Sequence, residues 1–445
     1  MKKMKYKKKT LLFIAILTLN SFIIFGQDKI VTKHYEIHYG TNPNIETGSQ
    51  TFLDITSLAF DQTNLLIKNK VKNKTANLFA RIGNFGLVQF YLGSRLYGTI
   101  PHEYFGHYSR AKEFGINPTE FNINFPGLGG DIVFIVPQSK PAIERQMIAS
   151  AGPEVTGTIA YKATQNLYTD DYSSTHIGFN LFVGKFIDQF LYYQNNITPF
   201  LKDPNKYYTN EAQYFNGNPV PNDPIAYVLA LTESYGYYDN FLDKTKPWVQ
   251  QFPDMGIYTQ NEFIKDQSTR MKSAYLQTAL DPTNLYFVYA NAMYLIKGKT
   301  FFKPFMFKIK GVSFMPSIRA NLGENGIENY YDMFFKVKNL PAFSLYYRTG
   351  GNMFHQTKGL GTEFRNLKIT DRVKINGQLD YWNNERTKTN NFNIATGINL
   401  TDKKNLFSVS GNVGYKSYGN LMGKPFGEGI YGYVGLGINL KYKTN

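Results

Sequence analysis

The clearest structural pattern in this 445-residue chain is the segment Val373-Lys374-Ile375-Asn376-Gly377-Gln378-Leu379-Asp380-Tyr381. Apolar or small side chains occupy every second position, and polar or charged side chains fill the positions between them. Because side chains of a strand point to alternate faces, this period of two predicts a β-strand with one apolar face. The same alternation recurs at residues 392–400, 407–415 and 434–442.

Further candidate strands continue this pattern upstream, at 305–310, 312–322, 330–338, 342–348 and 359–369. Successive strands with one apolar, often aromatic face and one small or polar face are typical of an outer-membrane β-barrel. An antiparallel sheet packed on helices, with its apolar face turned to the core, would alternate in nearly the same way. We therefore predict an antiparallel β domain over residues 301–445 with roughly eight or nine strands. An eight-stranded outer-membrane-type barrel is the preferred form, and a soluble sheet is the alternative.

Before residue 300 the apolar residues recur three or four positions apart, which is the period of amphipathic helices. Helices are predicted at Thr51–Val71, Asn77–Phe114, Pro141–Leu167, Gly178–Gln194, Asp223–Phe241 and Gln260–Ile296. Two stretches differ: Ile30–Tyr39 alternates like a strand, and Phe121–Pro137 is predicted to be a hairpin that turns at 127–130. The expected fold class is α+β, with a mainly helical domain over residues 27–300 before the β domain.

The N-terminal residues 1–26 predict export. Six lysines are followed by an apolar run from Leu11 to Phe25 and by the small residue Gly26. This order is typical of a secretory signal peptide, and an uncleaved N-terminal anchor is the alternative. In both cases we expect the protein in the outer membrane or periplasm of a Gram-negative-type bacterium.

Composition narrows the possible partners. The chain has no cysteine, which excludes disulfides, thiolate metal ligands and cysteine nucleophiles. Its formal charge is +16 at pH 7. For an exported chain, a basic surface favours anionic lipid headgroups or phosphorylated glycans as partners over nucleic acid. A charge that only keeps the protein soluble is the alternative. Aromatic residues make up 16% of the sequence, which suits a membrane interface.

The residues most suited to chemistry lie in Pro101-His102-Glu103-Tyr104-Phe105-Gly106-His107, on a predicted helix. A zinc hydrolase uses two neutral histidine nitrogens and a further protein ligand, and leaves one position open for water. It also needs a carboxylate that takes a proton from that water. We predict Zn²⁺ bound by His102 and His107, with Glu103 as the catalytic general base.

The spacing of the two histidines sets a geometric condition. On a regular α-helix, residues five apart point about 140° away from each other, so His102 and His107 could not share an ion. A local π-bulge would bring both rings to one face, and such bulges are frequent at functional sites. In the alternative, Glu103 and His107 are four residues apart and serve as ligands, while His102 lies outside the coordination shell.

Two carboxylates are candidates for the third ligand. Glu154 lies in an otherwise apolar, small-residue helix, where an ionised carboxylate is costly unless a cation or metal pairs with it. Asp223 precedes Pro224 and could instead be an ordinary helix N-cap. We therefore prefer Glu154 and keep Asp223 as the alternative.

The sequence from His102 to His107 resembles the H-E-x-x-G-H motif of the dipeptidyl peptidase III family of zinc exopeptidases. Its surroundings are instead similar to site-2 proteases, in the phrase from Arg110 to Ile116, the hairpin beginning at Phe121, and Ala151-Gly152-Pro153. The motif has one residue more than that of site-2 proteases, and the predicted helices are more polar than those of an intramembrane enzyme.

The two resemblances imply zinc-dependent hydrolysis of peptide bonds. The exopeptidase family implies a downstream glutamate as third ligand, which fits Glu154. The phrase from Asn218 to Asp223 is similar to the one that carries the aspartate ligand of site-2 proteases.

We therefore expect a zinc metallopeptidase of the cell envelope that acts on peptide or protein substrates. One alternative is a non-enzymatic outer-membrane protein, a channel or an adhesion or assembly module with a helical cap. Another is a structural metal site that braces the helices and has no coordination position open for water.

Overall fold

The computed structural model describes residues 29–40, 44–124, 129–134, 140–202, 222–235, 256–338 and 340–444. The predicted signal peptide, residues 1–26, and residues 127–128 of the predicted hairpin turn lie outside these ranges.

A ten-stranded antiparallel sheet is the largest element of the fold. The N-terminal strand β1 (Lys29–Gly40) pairs along its whole length with the C-terminal strand, and the other strands follow in reverse chain order. These are β6 (Phe307–Ile309), β7 (Val312–Leu322), β8 (Ile327–Val337), β9 (Ala342–Gly351), β10 (Gln356–Lys368), β11 (Val373–Asn384), β12 (Thr389–Thr401), β13 (Phe407–Lys416) and β14 (Gly429–Thr444).

This sheet, together with the helices, confirms the predicted α+β class. The nine candidate strands of residues 301–445 are present as β6 to β14. Because β1 also joins them, the sheet has ten strands and not the eight of the predicted barrel. Within the described part of the chain no ladder of hydrogen bonds joins β1 to β6, so the sheet is open at these two edges. Closure into a barrel stays a prediction.

The helices lie where the apolar period of three to four placed them. They are α1 (Ile45–Lys70), α2 (residues 74–113), α3 (Ala142–Thr169), α4 (residues 176–202), α5 (Asp223–Ser234), α6 (Gly256–Ala279) and α7 (Leu285–Leu295). The single helix predicted over Gln260–Ile296 is wrong in one respect: Asp281 and Pro282 begin a short 3₁₀ turn that separates α6 from α7. No helix among the described residues is both long and apolar enough to cross a bilayer.

Two short strand pairs complete the described part of the fold. The predicted hairpin is formed by β2 (Pro118–Asn124) and β3 (Gly129–Phe134), which pair with each other. Strands β4 (Ser173–Ser174) and β5 (Phe301–Phe302) form a second short pair.

Helix α3 is the centre of the packing. Most of its residues are buried, and it contacts α1, α2, α4, α5 and strands β7 and β8. Its middle part is rich in alanine, glycine and threonine, and these small side chains let the neighbouring elements approach closely.

The large sheet turns its apolar face outward and its charged face toward the helices. A sheet in the core of a soluble protein has the opposite arrangement. The outward face of β9 to β14 is apolar and exposed, with Leu360 at 61%, Ile394 at 54% and Leu436 at 69% exposure. The inward face carries buried charges. Arg319 on β7 binds Asp332 on β8 through two hydrogen bonds of 2.7 and 2.8 Å.

The connection between β13 and β14, residues 417–428, folds into this polar interior. Leu421, Met422 and Phe426 are buried. Lys424 Nζ donates a 2.7 Å hydrogen bond to Glu46 on α1, and Arg348 donates one of 2.8 Å to the Asn420 carbonyl. The interior between sheet and helices is therefore held together by paired charges and backbone hydrogen bonds as well as by apolar packing.

We predict that Asp332→Asn lowers the free energy of unfolding by about 3–5 kcal/mol, because it leaves the Arg319 guanidinium buried without a counter-ion. Chemical denaturation followed by circular dichroism measures the change. Asp371→Asn is the matched control, since Asp371 pairs with Lys368 in an exposed turn, and we expect no measurable change. Equal effects of the two substitutions would contradict the role given to the buried pair.

Candidate metal centre

Helix α2 widens into π geometry at Asn84–Leu92 and again at Gly98–Tyr108. The second segment contains the whole His-Glu motif. In a π-helix each amide bonds to the carbonyl five residues earlier, so residues five apart lie on one face. The rings of His102 and His107 accordingly lie side by side, with centroids 5.0 Å apart and planes at 70°. The predicted widened turn is confirmed, and His102 does not face away from His107.

Three potential ligands of one metal ion converge here. The ligand atoms of His102, Glu103 and His107 all lie within 4.8 Å of one another. Both histidines are buried, and Glu103 is half-buried. A buried His-Glu-His group with the separation of metal ligands is thus part of the fold.

Gly152 on α3 lies against both imidazoles. A Cβ atom at this position would stand 2.4 Å from His102 Nε2 and 2.6 Å from His107 Nε2. On the other side of the crossing, a Cβ at Gly106 would stand 2.7 Å from the Ala151 carbonyl oxygen. Glycine at both positions lets α2 and α3 touch through their backbones, and this contact brings the two Nε2 atoms to the same point on α3.

Asp223 reaches the same point from the first turn of α5. Its Oδ2 lies 2.9 Å from His102 Nε2, and its Oδ1 lies 3.3 Å from His107 Nε2. The N-cap of α5 is Asn222, whose side chain accepts the Ile225 amide, so Asp223 is free for the histidines. Burial by itself raises the pKa of Asp223, but the adjacent His107 and His102 hold it well below its ordinary value.

Glu154, the preferred third ligand in the sequence analysis, has other partners. Its Oε2 accepts a 2.7 Å hydrogen bond from Arg110, and its Oε1 accepts a 2.8 Å hydrogen bond from the Gly423 amide. The buried carboxylate therefore has the cation that the sequence required, but that cation is an arginine. Of the two candidates, Asp223 and not Glu154 contacts the histidines.

Two further residues of this site, Asp188 and Tyr192, belong to no sequence motif and were not predicted. Both lie on α4, whose segment Phe182–Tyr192 is also π-helical. Asp188 Oδ1 is 3.8 Å from His102 Nδ1, and Thr156 donates a hydrogen bond to its other oxygen. The Tyr192 hydroxyl donates a 3.4 Å hydrogen bond to Asp223 Oδ2. In the sequence, Asp188 is an acidic residue within a helix rich in aromatic residues, and this pattern is too common to identify it as a site residue.

No known protein family matches this sequence, and no curated protein matches it significantly.

A hydrogen bond behind the His107 ring orients it. His107 Nδ1 is 2.7 Å from the Ile148 carbonyl oxygen, to which it donates, so Nε2 is directed at Asp223. This arrangement, a backbone carbonyl behind the ring, is the one that orients metal-binding histidines. The buried His102 Nδ1 has no hydrogen-bond partner among the described residues, and Asp188 Oδ1 lies 3.8 Å from it.

The charged groups of the site shift one another's pKa values. Burial lowers the pKa of His102, but the hydrogen bond to Asp223 and the charges of Asp223, Asp188 and Glu103 raise it to about 10. A metal ion would thus displace a proton from this ring. Burial raises the pKa of Glu103, while His107, His102 and the Ile132 amide counteract part of this rise. A carboxyl with a raised pKa is better suited to accept a proton near neutral pH.

We predict that Gly152→Ala weakens Zn²⁺ binding by at least about 100-fold, because the added methyl group would occupy the point where both Nε2 atoms meet. Isothermal titration calorimetry with ZnCl₂ measures the affinity. Gly98→Ala is the control, because a Cβ at Gly98, in the same π segment as the histidines, would meet no atom within 4 Å. Unchanged zinc affinity of Gly152→Ala would show that the ion, if bound, does not lie at this crossing.

Proposed function

We propose that this protein is a zinc-dependent peptidase whose metal is held by His102, His107 and Asp223. The observation that carries the proposal is the meeting of two imidazole Nε2 atoms and one carboxylate at Gly152, with Glu103 beside them.

The donor set fits Zn²⁺. Zinc is bound by histidine nitrogens and carboxylate oxygens at about 2.0–2.2 Å, in tetrahedral geometry. Ligand atoms of such a site are about 3.3 Å apart, close to the 2.9 and 3.3 Å separations of Asp223 from the two rings. Three protein ligands leave the fourth position for water, as in catalytic zinc sites.

When bound, zinc would lower the pKa of a water molecule and polarise the carbonyl of the scissile bond. Glu103 would accept the proton of the attacking water and pass it to the leaving amine. The Ile148 carbonyl keeps His107 in the tautomer that offers Nε2, and Asp188 is placed to do the same for His102.

The adjacent hairpin supports a peptide as substrate. The Ile132 amide of β3 hydrogen-bonds to the Glu103 carboxylate, so this edge of β3 faces the site. Within the described residues β3 pairs with β2 only. An extended peptide added to the open edge would place its backbone beside Glu103, in the way that strands bind peptides by β-addition.

The outer face of the sheet supports a place in a membrane. Strands β7 to β14 are 10–16 residues long, and about 9–11 tilted residues suffice to cross the hydrocarbon layer. On the outward face of β9 to β14 one charged side chain occurs, Lys358 near the start of β10. Strands of outer-membrane proteins likewise have an apolar outer face and a polar inner face. We therefore keep the outer membrane as the proposed location.

We expect Glu103→Gln to retain zinc and to lower peptide hydrolysis by about 100- to 10,000-fold, because the amide cannot accept a proton. His102→Ala should lose both zinc and hydrolysis. Metal analysis and cleavage of a mixed peptide library, read by mass spectrometry, measure the two properties. If Glu103→Gln retains zinc and hydrolyses peptides as fast as wild type, Glu103 is not the catalytic base. If Glu103→Gln loses zinc, Glu103 is instead a ligand of a structural site.

We expect Asp223→Asn to weaken Zn²⁺ binding more than about 100-fold, beyond the 10- to 100-fold typical of outer-shell partners. Glu154→Gln keeps the hydrogen-bonding shape and should change the affinity less than tenfold. Titration of both variants with ZnCl₂ decides between the two carboxylates. Should Glu154→Gln fail to fold, Asp223→Asn against wild type still decides, because unchanged affinity in that variant excludes Asp223 as a ligand.

A further inference from the structure

The two ends of the large sheet differ in charge. The register of the ladders brings together residues 338 and 340–341, the turns at 369–372 and 402–406, the turn between β6 and β7, and the last residues of β14. We call this end of the sheet the basic end. Nine exposed basic side chains lie in these turns and the adjoining strand ends: Lys308, Lys310, Lys338, Lys368, Arg372, Lys403, Lys404, Lys441 and Lys443.

Few acids balance these charges. The same turns and strand ends carry two exposed acids, Asp371 and Asp402. Asp371 pairs with Lys368, and the Asp402 carboxylate accepts the amides of Leu406 and Phe407 within its own turn. The basic end therefore presents a row of positive charge to its surroundings.

The opposite end of the sheet is different. It consists of the connections 323–326, 352–355, 385–388 and 417–428 with the adjoining strand ends. The exposed charges there are two of each sign: Lys358, Glu385, Lys388 and Glu428. The excess positive charge of the sheet is thus confined to one end.

The basic end borders directly on the apolar outer face. Phe407, Leu400 and Leu436 on that face are 58%, 45% and 69% exposed, and Phe407 and Leu400 adjoin the turn that carries Lys403 and Lys404. An apolar surface bordered by lysines matches the hydrocarbon and headgroup layers of a bilayer that contains anionic lipid. A soluble polyanion would account for the lysines but not for the apolar surface beside them.

We infer that the basic end binds the phosphate headgroups of anionic lipids and so fixes the direction in which the sheet lies in a membrane. This inference rests on the membrane part of the proposed function and is independent of hydrolysis.

Helix α3 relates this end to the metal centre. Its N-terminal part lies at the opposite end, where Gln146 donates to the Gly323 carbonyl. At its other end, Asp170 pairs with Lys33 on β1 and the following Asp171 with Lys336 on β8. Gly152 is 18 residues before Asp170, or about 27 Å along the helix. The metal centre therefore lies toward the end of the sheet away from the bound headgroups.

The test uses the full chain, diluted from detergent into vesicles and separated by flotation. One vesicle preparation is phosphatidylcholine alone, and the other is phosphatidylcholine with phosphatidylglycerol at 7:3. We expect wild type to partition more strongly into the anionic vesicles, and 0.5 M NaCl to remove the difference. The double variant Lys403→Glu, Lys404→Glu should lose at least about tenfold in partitioning into anionic vesicles, because each lysine near such a surface contributes about a factor of five.

The matched pair is Lys404→Glu and Lys388→Glu, two single variants that change the charge equally at the two ends of the sheet. The first should weaken partitioning into anionic vesicles, and the second should partition as wild type does. Equal binding of wild type to both vesicle preparations would overturn the headgroup assignment while leaving the membrane location intact. Flotation with neither preparation would overturn both. Equal losses in Lys404→Glu and Lys388→Glu would overturn the assignment to one end. Binding of heparin by protein that does not float with anionic vesicles would assign the lysines to a soluble polyanion. Zinc content and peptide cleavage of the same preparations show separately whether the metal centre is active.

Discussion

The backbone contact between α2 and α3 is the constraint on which the metal centre depends. Gly106 and Gly152 have no side chains to separate the helices, so the Ala151 carbonyl and the Gly152 Cα approach Gly106 directly. The π geometry of α2 supplies the second half of the constraint, because it turns His102 and His107 toward that contact. Asp223 then meets both rings from α5. A regular helix or a larger residue at the crossing would separate these three ligands.

Buried charges hold this crossing in place. Arg110 on α2 binds Glu154 on α3, and Glu154 also accepts the Gly423 amide from the connection between β13 and β14. Because a buried ion is costly without its partner, these pairs fix the two helices and the sheet connection relative to one another. Glu154 thus has a structural role two residues from the metal centre. Its burial, which made it a plausible ligand, is explained by Arg110.

Helix α3 also connects the two proposed activities. It runs from the metal centre, near one end of the sheet, toward the basic end, where Asp170 pairs with Lys33. Strands β7 and β8 of the sheet contact this helix, and the apolar face of the sheet is turned outward. The arrangement would separate the proposed hydrolysis from the proposed lipid binding along the length of the strands. A peptide would then reach Glu103 from the side of the membrane away from the anionic headgroups.

The sequence alone determined the alternation of strands, the positions of most helices and the pairing of Glu103 with two histidines, because these follow from local periodicity and spacing. It also indicated that a helical turn must widen between His102 and His107. Tertiary structure decided the rest. Whether Glu154 or Asp223 meets the histidines depends on contacts 44 and 121 residues apart in the chain, and no local pattern encodes such distances. The same holds for β1, which joins a sheet built almost entirely from the C-terminal third because its partner β14 is brought beside it only in the folded chain.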